Sequence, residues 1–387
     1  MNNMQEPLAI VVVAYNRDKA LAKLLNSLKR IETNINVPLV ISIDGGGTEA
    51  VNKIANDFEW QYGEKKVIIH EKLGLVKHFI WAGDQTETYG NVLFLEDDLY
   101  VSPDIVNYSQ QLISFYKDDE RITGGACYNM PYTLSGMRFY QVQDGYDNYF
   151  WQHPYWGNIW FGKQWLLFKQ YLKTYKENND LLPTNVQTWT RSFKKIYLQF
   201  LVENHKTMVF PRVSLVTNNG IGGGDHNQDD AYQFHVPFNI SAWKQYNFAK
   251  YDDSMARYDV FEEIEVELLK KLCPEIKDYD FTVDTKFNRN SLTTEYLLTT
   301  LNSGAPILSF DSNLKPSELG AILKINGTGL NLLKRDDRLY SKSRINNLKY
   351  IDIIKNTYRP TIEPSLKLLL TSIRDFLIRK KKQFFKL

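Results

Sequence analysis

Cysteine is almost missing from this chain: Cys127 and Cys273 are the only two in 387 residues. Two thiols cannot build a disulfide framework, so a reducing cytosol is the expected setting. With only six histidines beside them, no Cys/His cluster of the kind that holds structural zinc is present. Long apolar runs are lacking too. The run at residues 8–13 is far shorter than the ~20 residues a membrane-spanning helix needs. Residues 1–6 lack the basic start of a signal peptide. The triple glycine Gly45-Gly46-Gly47 has no Lys-Ser/Thr after it, which excludes a P-loop and leaves a turn. Excess charge is scarce as well, and unevenly spread. The net charge is +2, yet residues 365–387 hold seven Lys/Arg against one Asp, so the remainder is net acidic. A body of that sign argues against nucleic acid as the main partner. No internal repeat or low-complexity tract interrupts it.

What is present centres on Asn91-Val92-Leu93-Phe94-Leu95-Glu96-Asp97-Asp98. Four consecutive apolar residues predict a strand buried on both faces. Three carboxylates at its tip repel one another strongly in low dielectric, so something positive must meet them. A divalent cation with oxygen preference, Mn²⁺ or Mg²⁺, is the economical candidate. Ser102-Pro103-Asp104 then reads as a helix start. Acids at the C-terminal end of a buried strand lie where open α/β sheets bind ligands. A solvated acidic turn is the plain alternative.

Before that strand the texture is regular. Strands are expected at residues 8–14, 37–43 and 66–70, with helices following helical spacing at about 20–31, 48–58 and 75–85. This βαβαβαβ alternation predicts an α/β fold, a mostly parallel sheet with helices on both faces. A further strand is expected at 122–126. Residues 128–165 are crowded with aromatics, a surface on which sugars could stack or simply a large packed core; both readings stay open. Helices are expected at 164–176, 189–204 and 259–272, a strand at 208–216, and a Gly-rich turn at 218–230. In residues 364–387, apolar Leu366, Leu369, Leu370, Ile373, Phe376 and Leu377 recur at helical spacing beside Lys367, Arg374 and a basic block at 379–382. That composition suits a helix lying on an anionic membrane surface, with a core-packing helix and frayed tail as the alternative.

Several motifs in order then carry a resemblance. Ala14-Tyr15-Asn16-Arg17, Ser42-Ile43-Asp44, Lys77-His78-Phe79-Ile80-Trp81-Ala82, Leu95-Glu96-Asp97-Asp98-Leu99, Pro154-Tyr155-Trp156-Gly157 and the Gly-rich stretch ending in His226 resemble GT-A-fold nucleotide-sugar glycosyltransferases. The likeness is to the N-acetylglucosaminyltransferase I group and to bacterial family-2-type polysaccharide glycosyltransferases, over residues 8–235. It implies a GT-A domain at 1–240, with a nucleotide-sugar-binding half (1–127) and an acceptor half (128–240). A mostly helical extension at 241–363 and the basic helix at 364–387 follow. By the same resemblance, Ala14, Tyr15 and Arg17 lie near the donor, and Asp44 contacts uracil. His78 approaches the nucleotide, Glu96 and Asp97 contact sugar and ribose, and Asp98 binds the cation, with His226 a second candidate ligand. Trp156 and Gly157 flank the acceptor. The implied reaction is inverting, metal-dependent transfer of a sugar from a UDP-sugar to a glycan or lipid-linked acceptor, in cell-surface polysaccharide synthesis. The implied location is the inner face of the cell membrane.

One departure stands out. Inverting members of the group usually carry an Asp just after a tryptophan to deprotonate the acceptor hydroxyl; Thr188-Trp189-Thr190-Arg191 has no carboxylate. Asp225 is the first substitute, with Asp229 and Asp230 behind it. Two alternatives remain. A sugar nucleotidyltransferase requires a Gly-rich loop with Arg and Lys after the first strand, which Ala14-Tyr15-Asn16-Arg17-Asp18 lacks. A non-catalytic sugar-nucleotide-binding protein with a decayed site would account for the missing base.

Overall fold

The structure, a computed structural model, describes residues 5–220, 234–289, 292–301 and 305–336, with 366, 369, 370 and 373. The chain opens with strand β1 (Ala9–Ala14), helix α1 (Asp18–Leu28), β2 (Leu39–Ile43), α2 (Glu49–Asp57), β3 (Lys65–Ile69), α3 (Leu75–Asp84), the short α4 (Thr86–Tyr89) and β4 (Asn91–Glu96). Every residue of β1 and β2 is buried, which is why their sequences are apolar throughout rather than alternating. Helix α1 turns Leu21, Leu24, Leu25 and Leu28 inward, and Thr48 caps α2 by accepting from the Val51 amide. The expected alternation is met element by element.

After β4 come β5 (Leu99–Val101), α5 (Ile105–Tyr116), β6 (Ile122–Ala126), β7 (Asn148–Trp151), β8 (Asn158–Phe161), α6 (Gly162–Leu172), α7 (Thr184–Gln187), α8 (Phe193–Glu203), β9 (Thr207–Pro211), β10 (Val216–Asn218) and β11 (Arg257–Tyr258). Nine strands form one sheet in the order β11-β7-β9-β6-β8-β4-β1-β2-β3. Strands β4, β1, β2 and β3 run parallel, while β8 is antiparallel to both β4 and β6. From β1 the chain builds outward through β2 and β3, then crosses back to lay β4 on the other side of β1. The order therefore reverses between β1 and β4, and a crevice opens at their C-terminal ends. Val13 pairs with Glu96 there, so the acids sit at the reversal.

The aromatic stretch divides between its two readings. Tyr149, Phe150, Trp151, Trp160 and Trp165 are fully buried core, with Trp160 stacked on Phe94 of β4 at 4.7 Å between centroids. Tyr155 and Trp156 instead line a cavity.

Beyond the sheet the expectation needs correcting. The stretch after residue 240 was expected to be mostly helical, but it first adds β11 to the main sheet and then forms a second sheet. Strands β12 (Phe281–Val283), β13 (Tyr296–Thr299), β14 (Leu308–Phe310) and β15 (Leu330–Lys334) pair in the order β12-β13-β15-β14. Helices there are short: α9 (Val266–Leu272) and α10 (Leu319–Ile322). The helix expected at 259–272 forms only in its second half. Asp259 accepts from the amides of Phe261 and Glu263, and Glu262 takes a positive φ of 68°, a local turn that helical geometry cannot accommodate. Strands of three to five residues leave too short a period to register in a sequence.

Candidate active site

Two basic side chains meet the three acids. The Arg17 guanidinium, at the start of α1, donates from its terminal nitrogens to Asp97 Oδ1 and, at 3.1 Å, to Asp98 Oδ2. Lys194, in the first turn of α8, lies 3.3 Å from Glu96 Oε1. Burial pushes the Asp97 carboxyl up to about 7; Arg17 opposes this, while the neighbouring Asp98 and Glu96 charges add to it. Arg17, expected near the donor, thus stands as counter-charge to the acids themselves. Behind them, β5 pairs antiparallel with β10 in a separate two-stranded sheet. This delivers Asn219, whose amide donates to the Asp98 carbonyl at 2.7 Å and whose side chain donates to the Asp97 carbonyl at 3.2 Å. The Gly-rich stretch therefore begins at the acid tip. Asp225, His226, Asp229 and Asp230 lie outside the described residues.

Asp44 ends β2 and is buried. Its Oδ1 accepts from the amides of Leu73 (2.6 Å) and Gly45 (3.0 Å), and its Oδ2 from that of Gly74 (3.0 Å). Gly74 caps α3, so the carboxylate faces the positive end of that helix. Asp44 thereby fixes the loop that enters α3. His78 also falls elsewhere than at an open ligand surface. Its Nε2 lies 2.7 Å from the Ser42 hydroxyl, which is 2.8 Å from His70 Nε2 on its other side. Burial, only partly offset by Asp44, lowers the His78 imidazole to about 4. A buried neutral histidine binds fewer protons than its unfolded counterpart between pH 6.5 and 4, so stability should fall as pH falls through that window. By pH 4 the loss should reach about 2–3 kcal/mol, and His78→Gln should flatten it in urea titrations. An unchanged slope in the variant would show that His78 is not the group responsible.

Beside the tip lies a cavity of about 1200 Å³. Its wall combines the start of α3 (Gly74, Lys77), the loop at 130–136, Tyr155 and Trp156, and the α7–α8 turn at 189–194. Lys194 links cavity to acids, since its ammonium lies 5.6 Å from both the Tyr155 and Trp156 ring centroids as well as beside Glu96. Trp156 thus lines the cavity. Gly157 does not line the cavity: it takes a φ of 67°, and a Cβ there would meet the Cys127 Cβ at 2.8 Å. Ala14 closes β1, its carbonyl accepting from the Asp44 amide at 3.0 Å, and Tyr15 is exposed beside it. Lys194 was not singled out in the sequence, and Lys77 and Arg191 stood there only inside motifs without a role of their own, because lone basic residues on helix ends and turns look like ordinary solvated charge.

The donor set has the chemistry for a hard divalent cation: carboxylate oxygens, without sulfur. Among the described residues no three His, Cys, Asp or Glu side chains converge as a complete cage. A cation here would therefore take one or two protein carboxylates, Asp98 foremost, and complete its shell from a bound diphosphate and water, as Mg²⁺ commonly does.

The fold, a mixed α/β architecture with a large, mostly parallel sheet and an acid-tipped strand at its reversal, is similar to that of GT-A glycosyltransferases. Residues 9–188 match the family Glycosyl transferase family 2, which covers the acids, Asp44 and the aromatic motif. Over 136 residues the chain is 26% identical to an Arabidopsis thaliana alpha-1,3-mannosyl-glycoprotein 2-beta-N-acetylglucosaminyltransferase, covering 31% of each chain. The chain thus spans about a third of that relative's length. Among solved structures, TarS residues 1–349 from S. aureus, in complex with UDP-GlcNAc, is 16% identical with a TM-score of 0.36, covering 56% of this chain and 60% of that one. The mannosyltransferase PcManGT from Pyrobaculum calidifontis, in complex with GDP-Man and Mn²⁺, is 9% identical with a TM-score of 0.38, covering 58% and 60%.

Proposed function

We propose that this protein transfers a sugar from a UDP-sugar to a glycan or lipid-linked acceptor, inverting the anomeric centre, in the synthesis of a cell-surface polysaccharide. The observation that carries this is the position of Glu96, Asp97 and Asp98 at the β1/β4 reversal, within the segment that matches the family. Asp98 would hold Mn²⁺ or Mg²⁺, which when bound supplies Lewis-acid stabilisation of the leaving diphosphate. Arg17, already beside both Asp97 and Asp98, adds fixed positive charge at the same end of the sheet. Asp44 holds the α3 loop in register with the cavity, and Trp156 with Tyr155 offers ring faces for the acceptor. The acceptor's base remains to be drawn from Asp225, Asp229 and Asp230.

The test is a donor-hydrolysis and transfer screen across nucleotide sugars, with and without Mn²⁺. N-acetylglucosamine donors come first, because the Arabidopsis relative is named for that sugar. Turnover of one UDP-sugar is the expected result. Donor binding without turnover on any acceptor extract would instead favour a decayed, non-catalytic site.

Attachment to an anionic membrane surface through residues 364–387 belongs to the same proposal. Leu366, Leu369, Leu370 and Ile373, spaced as one helical face, are each helical and about half exposed. Among the described residues, no helix is long and apolar enough to cross a membrane. Deleting 365–387 should abolish sedimentation with anionic vesicles while sparing transfer to soluble acceptors; undiminished vesicle binding would refute the anchor.

A further inference from the structure

We propose that the cavity beside the acid tip takes an acidic glycan, one whose sugars bear carboxylate or phosphate groups, as the acceptor. This rests on the cavity being the acceptor cleft of the proposed glycosyltransferase, and it names the substrate class that the cleft selects.

The charge of the wall carries the inference. Lys77, Arg191 and Lys194 line the cavity, and among the described residues no Asp or Glu does. Lys194 is already matched by Glu96. Lys77 and Arg191 are not: both are exposed, and neither has an ion-pair partner among the described residues. They reach the cavity from different elements, Lys77 from the first turn of α3 and Arg191 from the α7–α8 turn. His153, which also lines the cavity, is fully buried. Burial and the Lys194 charge press its imidazole down to about 3, so near neutral pH it is uncharged.

The backbone supports the same reading. Arg191 has a φ of 52°, in the left-handed region that a side-chain-bearing residue enters only at a cost. That strain is retained in a turn that presents the guanidinium at the cavity, directly before Ser192, whose hydroxyl caps α8. Around these cations, Tyr155, Trp156 and Trp189 supply ring faces suited to sugar rings. The volume exceeds that of an ordinary small-molecule pocket, leaving room for more than one sugar. Aromatic faces beside two uncompensated cations discriminate for an anionic chain over a neutral one of the same shape.

The experiment uses the full chain and matched pairs of probes. Oligogalacturonate is compared with its fully methyl-esterified form, and a phosphorylated maltooligosaccharide with its dephosphorylated form, by calorimetry at low and high salt. One acidic chain is expected to bind about tenfold tighter than its neutral twin at low salt, and to lose that margin at high salt. Which pair shows the margin tells carboxylate from phosphate. The double variant Lys77→Glu/Arg191→Glu should erase the margin, with a urea titration checking that it is folded. Equal affinity within both pairs, or no binding of either acidic chain, overturns the proposal. So does displacement of the acidic chain by saturating UDP, which would assign these cations to the donor. Because no donor is present, charge-selective binding persisting alongside an absence of transfer would sink the enzymatic reading and leave the charge selection standing.

Discussion

Asp98→Ala should lower sugar transfer by about 10³-fold while leaving the protein folded. The carboxylate is the last of three at the tip of β4, nearly buried, and the one best suited to a cation shared with a diphosphate. Its removal takes away the anchor for charge stabilisation at the leaving phosphate. The fold should survive, because the substitution also removes one of the like charges crowding Asp97, and Arg17 keeps its contact with Asp97. Far-UV circular dichroism and a urea midpoint within error of the parent would establish that the loss is chemical. Mn²⁺ titration of the parent completes the test. Full activity in excess chelator would refute the metal assignment, whatever the variant does.

Arg17→Met should destabilise the protein by about 3 kcal/mol at pH 8.5, and by clearly less at pH 5.5. The guanidinium is the counter-charge for two carboxylates at once, and without it Asp97 and Asp98 face each other buried. The sign of the pH dependence follows from protons. The Asp97 carboxyl is already raised by burial to about 7, and losing the opposing Arg17 charge raises it further. Between the unfolded carboxylate range and that raised value, the folded state binds more protons than the unfolded one, so stability falls as pH rises through the window. Protonation at low pH removes the uncompensated charge and with it most of the deficit. Urea titrations of both proteins at the two pH values measure it. A deficit that is constant with pH would mean that Arg17 stabilises by packing of its stem and not as a counter-charge. Donor affinity should also fall in the variant, which separates Arg17 from a purely structural residue.

The first half of the fold was legible because its signals are local. Strand β1 and helix α1 announce themselves by continuous burial and by a 3.6-residue apolar stripe, both contained within a dozen residues. The acids of β4 were legible for the same reason, as a run of like charge that demands a counter-charge. What that counter-charge was could not be read. Arg17 lies 80 residues before Asp97 in the chain, and only the β1/β4 reversal brings them together. Lys194 comes from the far side, carried to Glu96 by the packing of α8. His78 illustrates the converse. Its position on α3 was expected, but the hydroxyl that holds it belongs to Ser42 on β2, so the helix turns it toward the sheet. The strands β12 to β15 were missed because each is only three to five residues long and its partner lies across an irregular loop.

By itself, the sequence determined the α/β alternation, the parallel core and the acidic strand tip, since each follows from side-chain periodicity or from charges adjacent along the backbone. Tertiary structure alone decided which cations answer those acids, how Asp44 serves the α3 loop, which rings line a cavity and which pack inside, and how the residues beyond 240 pair. These depend on contacts between residues far apart in the chain, and a contact of that kind leaves no period for a sequence to display.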